Sequence, residues 1–346
     1  MKNRKILLTK ASHFEEYIEE IPQYGDDDVL VRVKHIGVCG SDVAFFLDPT
    51  IGGKLDTKLP ILLGHECSGE VVAVGKNVKQ FKDGDVVALE PGIPCGKCEW
   101  CLTGHYNLCP DVDFMAAPPF HRGALSEYVV HPAAFTHCLP TELDTMQGAL
   151  TEPLSVGMYA AERAKIQPFE NIVILGAGCI GLMTLQACRV MGARNIIVVD
   201  LYEQRLQKAL ELGAAEVVQS GQADTPECFR MLLGERGADV VFETAGNART
   251  MQMTAELVRR GGRIVMVGNV YGNTPFPFFE INEKEADIIS VFRYRNIYPN
   301  AIKAQSDGRI QTKEVVTKVF PFERTQEAFE CAAYQKNSVI KVVLEL

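Results

Sequence analysis

Three groups of residues in this chain of 346 have the types and spacing that chemistry requires. The first is "CGKCEWCLTGHYNLC", which spaces Cys95, Cys98, Cys101 and Cys109 as C-x2-C-x2-C-x7-C. Thiolates this close together, in a loop rich in glycine and polar residues, fit a closed tetrahedral zinc site. Such a site has no position for a substrate and serves to fix a lobe. An iron–sulfur cluster is the rival reading, because ferredoxins also begin C-x2-C-x2-C, but the placement of the fourth cysteine does not match their run.

The second group is "ILGAGCIG", which supplies Gly176, Gly178 and Gly181 as G-x-G-x-x-G between a strand-like and a helix-like stretch. In that context Gly176 allows a tight turn, Gly178 lets a pyrophosphate approach the backbone and Gly181 lets helix pack on strand. The helix N-terminus adds free N–H groups and a positive dipole. Asp200 ends the next strand, 19 residues after Gly181. A carboxylate there can hold ribose hydroxyls and repels a 2′-phosphate, which favours NAD over NADP. Arg205 could pack along the adenine or meet a phosphate. The bland alternative for the glycines is a structural βα turn.

The third group is scattered. "GVCGSD" places Cys39 at a strand end with Ser41 and Asp42 after it, "LGHEC" places His65 and Glu66 at the start of another strand, and "LTEPLSVG" places Glu152 where the pattern of the chain changes. Singly, each reads as a turn cysteine, a structural histidine or a helix start. Together they offer the three or so protein ligands, drawn from separate elements, that a catalytic zinc requires.

The elements that must position these groups follow two grammars. From about Asp28 to Val130 the chain reads as β-branched runs broken by glycine, among them "VLVRVKHIGVCG" and "CSGEVVAVG". From about Ile166 apolar strands such as "NIVIL", "NIIVVD" and "ADVVFE" alternate with helical stretches, which implies a parallel sheet covered on both faces. The fold class expected is therefore α/β, a doubly wound Rossmann sheet beside a mostly β domain. Cys67, Cys138, Cys179, Cys188, Cys228 and Cys331 are expected to be buried small hydrophobes.

Composition narrows the function. A net charge of −9 without a basic run argues against nucleic acid and anionic membranes as partners. No stretch approaches the roughly 20 apolar residues of a membrane span. "MKNRKILLTK" is too short in its apolar run for a signal peptide, so a cytoplasmic location with reduced thiols is expected.

Beyond these readings, the chain resembles the zinc-dependent medium-chain alcohol dehydrogenases, and within them the sorbitol (polyol) dehydrogenase branch. The resemblance rests on "GVCGSDV", "GHECSGEVVAVGKNVKQFKDGDVV", the four-cysteine lobe, "EPLSVG", "GAGCIG" and "VFRYRN". It implies a GroES-like catalytic domain built from residues 1–155 and 295–346, and a Rossmann domain over 156–294. It implies a catalytic zinc on Cys39, His65 and Glu66, with Glu152 either ligating the metal or hydrogen-bonding its water, and which glutamate is bound stays open. Ser41 would relay a proton. Ile180, Val267, Gly268, Asn269, Val291, Phe292 and Arg293 would line the cofactor, and Phe45, Arg293 and Tyr294 the substrate.

The implied reaction is oxidation of a sugar alcohol to its ketose with NAD, and the alternatives are a sugar-alcohol phosphate, threonine or another secondary alcohol. Where the branch reads C-G-S-D-V-H-Y, this chain reads "CGSDVAF". Ala44 and Phe45 remove an imidazole and a phenol hydroxyl, a hydrogen bond of ~1 kcal/mol, so a polyol other than sorbitol is plausible. Arg295 could favour an anionic substrate, though a surface salt bridge is the preferred reading. Family members are dimers or tetramers, and the apolar "NTPFPFFEI", placed beyond the last Rossmann strand, could pair with its own copy across a two-fold axis.

Overall fold

The computed structural model describes residues 2–346 other than Gln222 and Tyr271. The chain forms two compact units: Met1–Glu152 with Tyr298–Gly308 and Thr312–Leu346, and Pro153–Ile297 with Arg309–Gln311. The first unit thus ends at Glu152 rather than at residue 155, and the second runs on to Ile297. No described helix is long and apolar enough to cross a membrane.

The first unit is mainly β. Its largest sheet runs, in spatial order, Thr136–Cys138, Val86–Leu89, Glu66–Val74, Asp28–Val38, Lys341–Glu345 and Val316–Pro321, with Tyr128–Pro132 also on Asp28–Val38. Register decides what meets at one end of this sheet. Gly37 lies opposite Glu66 in an antiparallel pair, so Cys39 and His65, just past the paired residues, emerge side by side. Val342 lies opposite Val38, which brings the C-terminal Lys341 to the same place. Beneath, Phe14, Phe46 and Phe329 pack with ring centroids 4.7–5.5 Å apart, joining residues from both ends of the chain in one core.

A hairpin and a helix here are not among the expected β-branched runs. Lys2–Lys10 and His13–Glu20 form an N-terminal hairpin. Gly40–Leu47 is a helix, started where the Asp42 carboxylate accepts the Cys39 N–H at 3.4 Å and turns the chain immediately after the strand.

The second unit carries a six-stranded parallel sheet in the order Glu216–Gln219, Asn195–Asp200, Asn171–Leu175, Ala238–Glu243, Val258–Met266, Asp287–Ser290. This is the doubly wound Rossmann order, whose reversal falls between Asn171–Leu175 and Ala238–Glu243. Asn195–Asp200, Asn171–Leu175 and Ala238–Glu243 are buried along nearly their whole length, which their Ile/Val-rich runs require. One expectation is corrected. "NTPFPFFEI" does not follow the last strand, because it leads through the helix Phe278–Lys284 into the sixth strand, Asp287–Ser290.

The cysteine expectation also needs correction. Cys67, Cys188 and Cys331 are buried, but Cys179 and Cys228 are half-buried and Cys138 is exposed, at the end of the edge strand Thr136–Cys138.

Candidate active site

Cys39, His65 and Glu66 offer a thiol, an imidazole nitrogen and a carboxylate oxygen that all lie within 4.8 Å of one another. This is a sulfur–nitrogen–oxygen set of the kind that catalytic zinc uses, with three protein ligands and a fourth position for substrate. The surrounding groups fit a cation. Asp42, fully buried, sits 3.4 Å from His65 Nδ1 and brings a negative charge beside the imidazole. Burial opposes protonation of His65, but the charges of Asp42 and Cys39 outweigh it and hold the imidazole well above its usual pKa. Glu66 is 1% exposed, and its Oε1 has no hydrogen-bond partner among the described residues. An oxygen so placed is costly unless a cation meets it.

Glu66 has a second neighbour that no motif announced. The ammonium of Lys341, itself 3% exposed, forms an ion pair with the Glu66 carboxylate and donates to the Val38 carbonyl at 3.0 Å. Gly37 makes room, since a Cβ there would meet Glu66 Oε2 at 2.0 Å.

Glu152 stands outside the cluster of three ligands. It is buried at the start of the helix Thr151–Ala164, near enough for its charge, with that of Glu66, to act on the Cys67 thiol. Ser41 is half-buried in the first turn after Cys39. Phe45 is packed into the core, edge-on to Phe120 with centroids 5.0 Å apart.

The second cluster unites Cys95, Cys98, Cys101 and Cys109, again within 4.8 Å. All four are free thiols, with Cys98 and Cys101 sulfurs 3.4 Å apart and Cys95 and Cys101 sulfurs 4.0 Å apart. Zinc–sulfur bonds of about 2.3 Å in a tetrahedron set sulfurs about 3.8 Å apart, so the four fit the ion. The N–H groups of Lys97 and Cys98 bring the Cys95 thiol down to about 7, whereas burial pushes the Cys101 thiol up to about 12 and raises that of Cys109.

In the second unit the glycine turn closes as its sequence requires. Gly176 has φ +110°, and a Cβ there would meet Thr244 Oγ1 at 2.9 Å. A Cβ on Gly181 would lie 1.9 Å from the Gly176 carbonyl oxygen. At Gly178 the nearest atom would be an Arg205 nitrogen at 3.8 Å, so a ligand can approach the backbone at the N-terminus of the helix Cys179–Val190. Asp200 accepts the Ala177 N–H at 2.7 Å and the Tyr202 N–H at 2.9 Å, which ties strand end to turn. Its carboxylate retains further lone pairs for ribose hydroxyls. Arg205 lies over the Tyr202 ring.

Glu243, fully buried at the end of the fourth strand, organises the neighbouring loops and was not singled out from sequence. Its Oε1 accepts from the Ala245 and Gly246 N–H groups and the Thr250 hydroxyl, and its carbonyl from the Val267 and Gly268 N–H groups. Burial pushes its pKa up against those bonds. Ile180 and Val267 to Asn269 border these turns, all at least partly exposed. Val291 continues from the sixth strand with its N–H on the Met266 carbonyl, and Arg293 lies over the Phe292 ring with φ +54°. Tyr294 is buried. Arg295 is engaged with an aromatic group, donating to the Tyr159 hydroxyl at 2.6 Å and lying over its ring.

Comparison with known proteins agrees with this geometry. Residues 25–141 match the alcohol dehydrogenase GroES-like domain and residues 179–307 the zinc-binding dehydrogenase domain. The zinc-type alcohol dehydrogenase-like protein YdjJ of Escherichia coli is 49% identical over 100% of this chain and 99% of its own. Sorbitol dehydrogenase of Bacillus subtilis is 42% identical over 94% of this chain and 92% of its own. A crystal structure of an Escherichia coli oxidoreductase of unknown specificity superposes with a TM-score of 0.96 at 48% identity, covering 100% of this chain and 99% of the other. With both domains matched and the zinc-ligand set assembled, the chain belongs to the zinc-dependent medium-chain dehydrogenase superfamily, in its sorbitol dehydrogenase branch.

Proposed function

We propose that this oxidoreductase oxidises the secondary hydroxyl of a sugar alcohol to a ketone, with NAD as hydride acceptor. The observation that carries the reading is the convergence of Cys39, His65 and Glu66 at one sheet end, with a glycine turn for a dinucleotide in the second unit. The sorbitol dehydrogenases among its relatives support the polyol class. Asp200 favours NAD, and the bonding of Arg295 to Tyr159 draws that guanidinium away from a phosphate.

When bound, zinc supplies Lewis acidity that lowers the pKa of a substrate hydroxyl, and the nicotinamide accepts hydride. Cys39, His65 and Glu66 would hold the metal. Asp42 places a negative charge beside His65 Nδ1, and Lys341 holds one Glu66 oxygen so that the other can face the cation. Glu66 or Glu152 would accept the proton released from the substrate hydroxyl, and Ser41 would pass it outward. Cys95, Cys98, Cys101 and Cys109 would hold a second, structural zinc. Gly176, Gly178, Gly181 and Asp200 would seat pyrophosphate and ribose, with Ile180, Val267, Gly268, Asn269, Val291, Phe292 and Arg293 along the nicotinamide side. Tyr294 and Arg293 would meet substrate hydroxyls.

Two variants test the assignment. Cys39→Ser or Glu152→Ala should abolish turnover while NADH binding, followed by fluorescence, survives. Full activity without Cys39 would refute the mechanism.

Assembly as a homo-oligomer belongs to the same reading. Phe278 and Phe279, on the helix that precedes the edge strand Asp287–Ser290, are exposed, as is Ile288 on that strand, so a second copy can extend the sheet. Light scattering should give a dimer or tetramer that Ile288→Glu dissociates.

A further inference from the structure

The four-cysteine lobe and the Cys39–His65–Glu66 cluster are linked through one short hairpin. Gly92–Ile93 enters the lobe just before Cys95, and Asp113–Phe114 leaves it just after Cys109. The two segments pair antiparallel, with Gly92 opposite Phe114. The Phe114 ring then lies against the His65 imidazole, with centroids 5.6 Å apart. Its place is tightly set from behind, since a Cβ on Gly92 would come within 3.1 Å of the ring.

The lobe is tied down at a second point. Tyr106, between Cys101 and Cys109, donates its hydroxyl to Glu90 Oε1 at 2.7 Å. Glu90 is buried, and its other oxygen lies 3.0 Å from His137 Nε2. The Met115 N–H is held by the Pro91 carbonyl at 3.1 Å. Cys95 and Cys109 sit where the two arms of the hairpin open into the lobe, so a metal binding both closes that opening and fixes the register that aims Phe114.

We propose that the four-cysteine centre is a positioning device for the catalytic metal site, acting through the Gly92–Phe114 hairpin and the contact of Phe114 with His65. The inference rests on the zinc-dehydrogenase reading of both clusters. A metal in the lobe holds the hairpin closed, Phe114 braces the imidazole, and His65 loses less freedom when it takes its own cation. Such a link is reciprocal, because each site then steadies the other. Phe114 is in this respect a positioning residue, separate from any contact it makes with substrate.

The test reads metal retention rather than turnover. Zinc-loaded wild type, Phe114→Ala and Cys98→Ser are mixed with a chromophoric chelator, and zinc release is followed in time. Cobalt(II) placed in the mixed-donor site identifies its phase by absorption. Phe114→Ala should keep the four-thiolate zinc and release the metal at Cys39, His65 and Glu66 about tenfold faster, the range seen when groups supporting a metal ligand are lost. Cys98→Ser should show the same acceleration, and if it fails to fold, Phe114→Ala decides alone. A release rate in Phe114→Ala within about twofold of wild type, against the tenfold expected from such a support, would overturn the coupling. Wild type that binds fewer than two zincs would overturn the reading of the sites and the coupling with it. Two zincs with unchanged release in Phe114→Ala would overturn the coupling alone.

Discussion

At the scale of residues, the Glu66–Lys341 pair is the most informative contact. Both groups are almost wholly buried, so removing the ammonium leaves a carboxylate with only a metal to neutralise it. Breaking a buried pair in this way costs about 3–5 kcal/mol. Lys341→Met should therefore lower the melting temperature of chelator-treated protein far more than that of zinc-loaded protein, and scanning calorimetry on both forms checks it. Equal losses in the two forms would mean that Glu66 does not face the metal. Cys39, His65 and Glu66 were legible in sequence because each sits in a short motif. Lys341 was not, because a lone lysine in "VIKVVLEL" carries no sign of the strand pairing that brings it to Val38. Arg295 also has a partner that its sequence context does not announce. Its aromatic partner Tyr159 lies on a distant helix that no local pattern connects to it.

At the scale of elements, close backbone approach explains which substitutions the dinucleotide turn can bear. Gly181→Ala would drive a methyl group into the Gly176 carbonyl oxygen, so the helix Cys179–Val190 must shift away from its strand. NADH affinity should fall by at least about tenfold, the loss of 1.4 kcal/mol or more from a displaced phosphate turn. Zinc content, measured by plasma emission, should stay unchanged. Retained affinity would show that the turn does not seat the cofactor. The parallel strands were legible because burial on both faces leaves continuous Ile/Val runs. The N-terminal hairpin was not, because "HFEEYIEE" lacks an apolar face. Ile6, Leu8 and Phe14 anchor it in the core, and exposed cross-strand pairs such as Lys2–Glu20 and Lys5–Glu19, at 2.5 Å each, add little. The sixth strand escaped notice for a related reason, since its four residues "DIIS" lie at a sheet edge and are largely exposed.

At the scale of the whole molecule, stability should depend on pH through histidines kept neutral inside the first unit. His131 is fully buried, with Nε2 donating to the Glu90 and Phe135 carbonyls and Nδ1 accepting from Arg122. Burial and the Arg122 charge hold its pKa well below the usual value, and burial lowers that of His35 as well. Below the ordinary histidine pKa of about 6.5 the unfolded chain binds protons that the folded one refuses, so stability rises with pH and is lost as pH falls. Each such proton contributes up to about 1.4 kcal/mol per pH unit. Denaturant unfolding between pH 7 and pH 5 should show that slope, and His131→Gln should flatten it. The two-unit plan was legible from the change in grammar along the chain. That the C-terminal end joins the first unit followed from the family resemblance alone, since the pairing of Lys341–Glu345 with Asp28–Val38 leaves no local pattern in the sequence. Phe45, buried in the core, has no phenol hydroxyl to offer a substrate, so the proposed polyol activity need not centre on sorbitol. The most direct test is therefore the rate of NADH formation by zinc-loaded protein across a panel of sugar alcohols, sugar-alcohol phosphates, threonine and simple alcohols. Expected is strong turnover with one stereochemical series of unphosphorylated polyols, abolished by chelation and restored by zinc. Turnover with none of them, or turnover indifferent to chelation, would contradict a zinc-dependent polyol dehydrogenase.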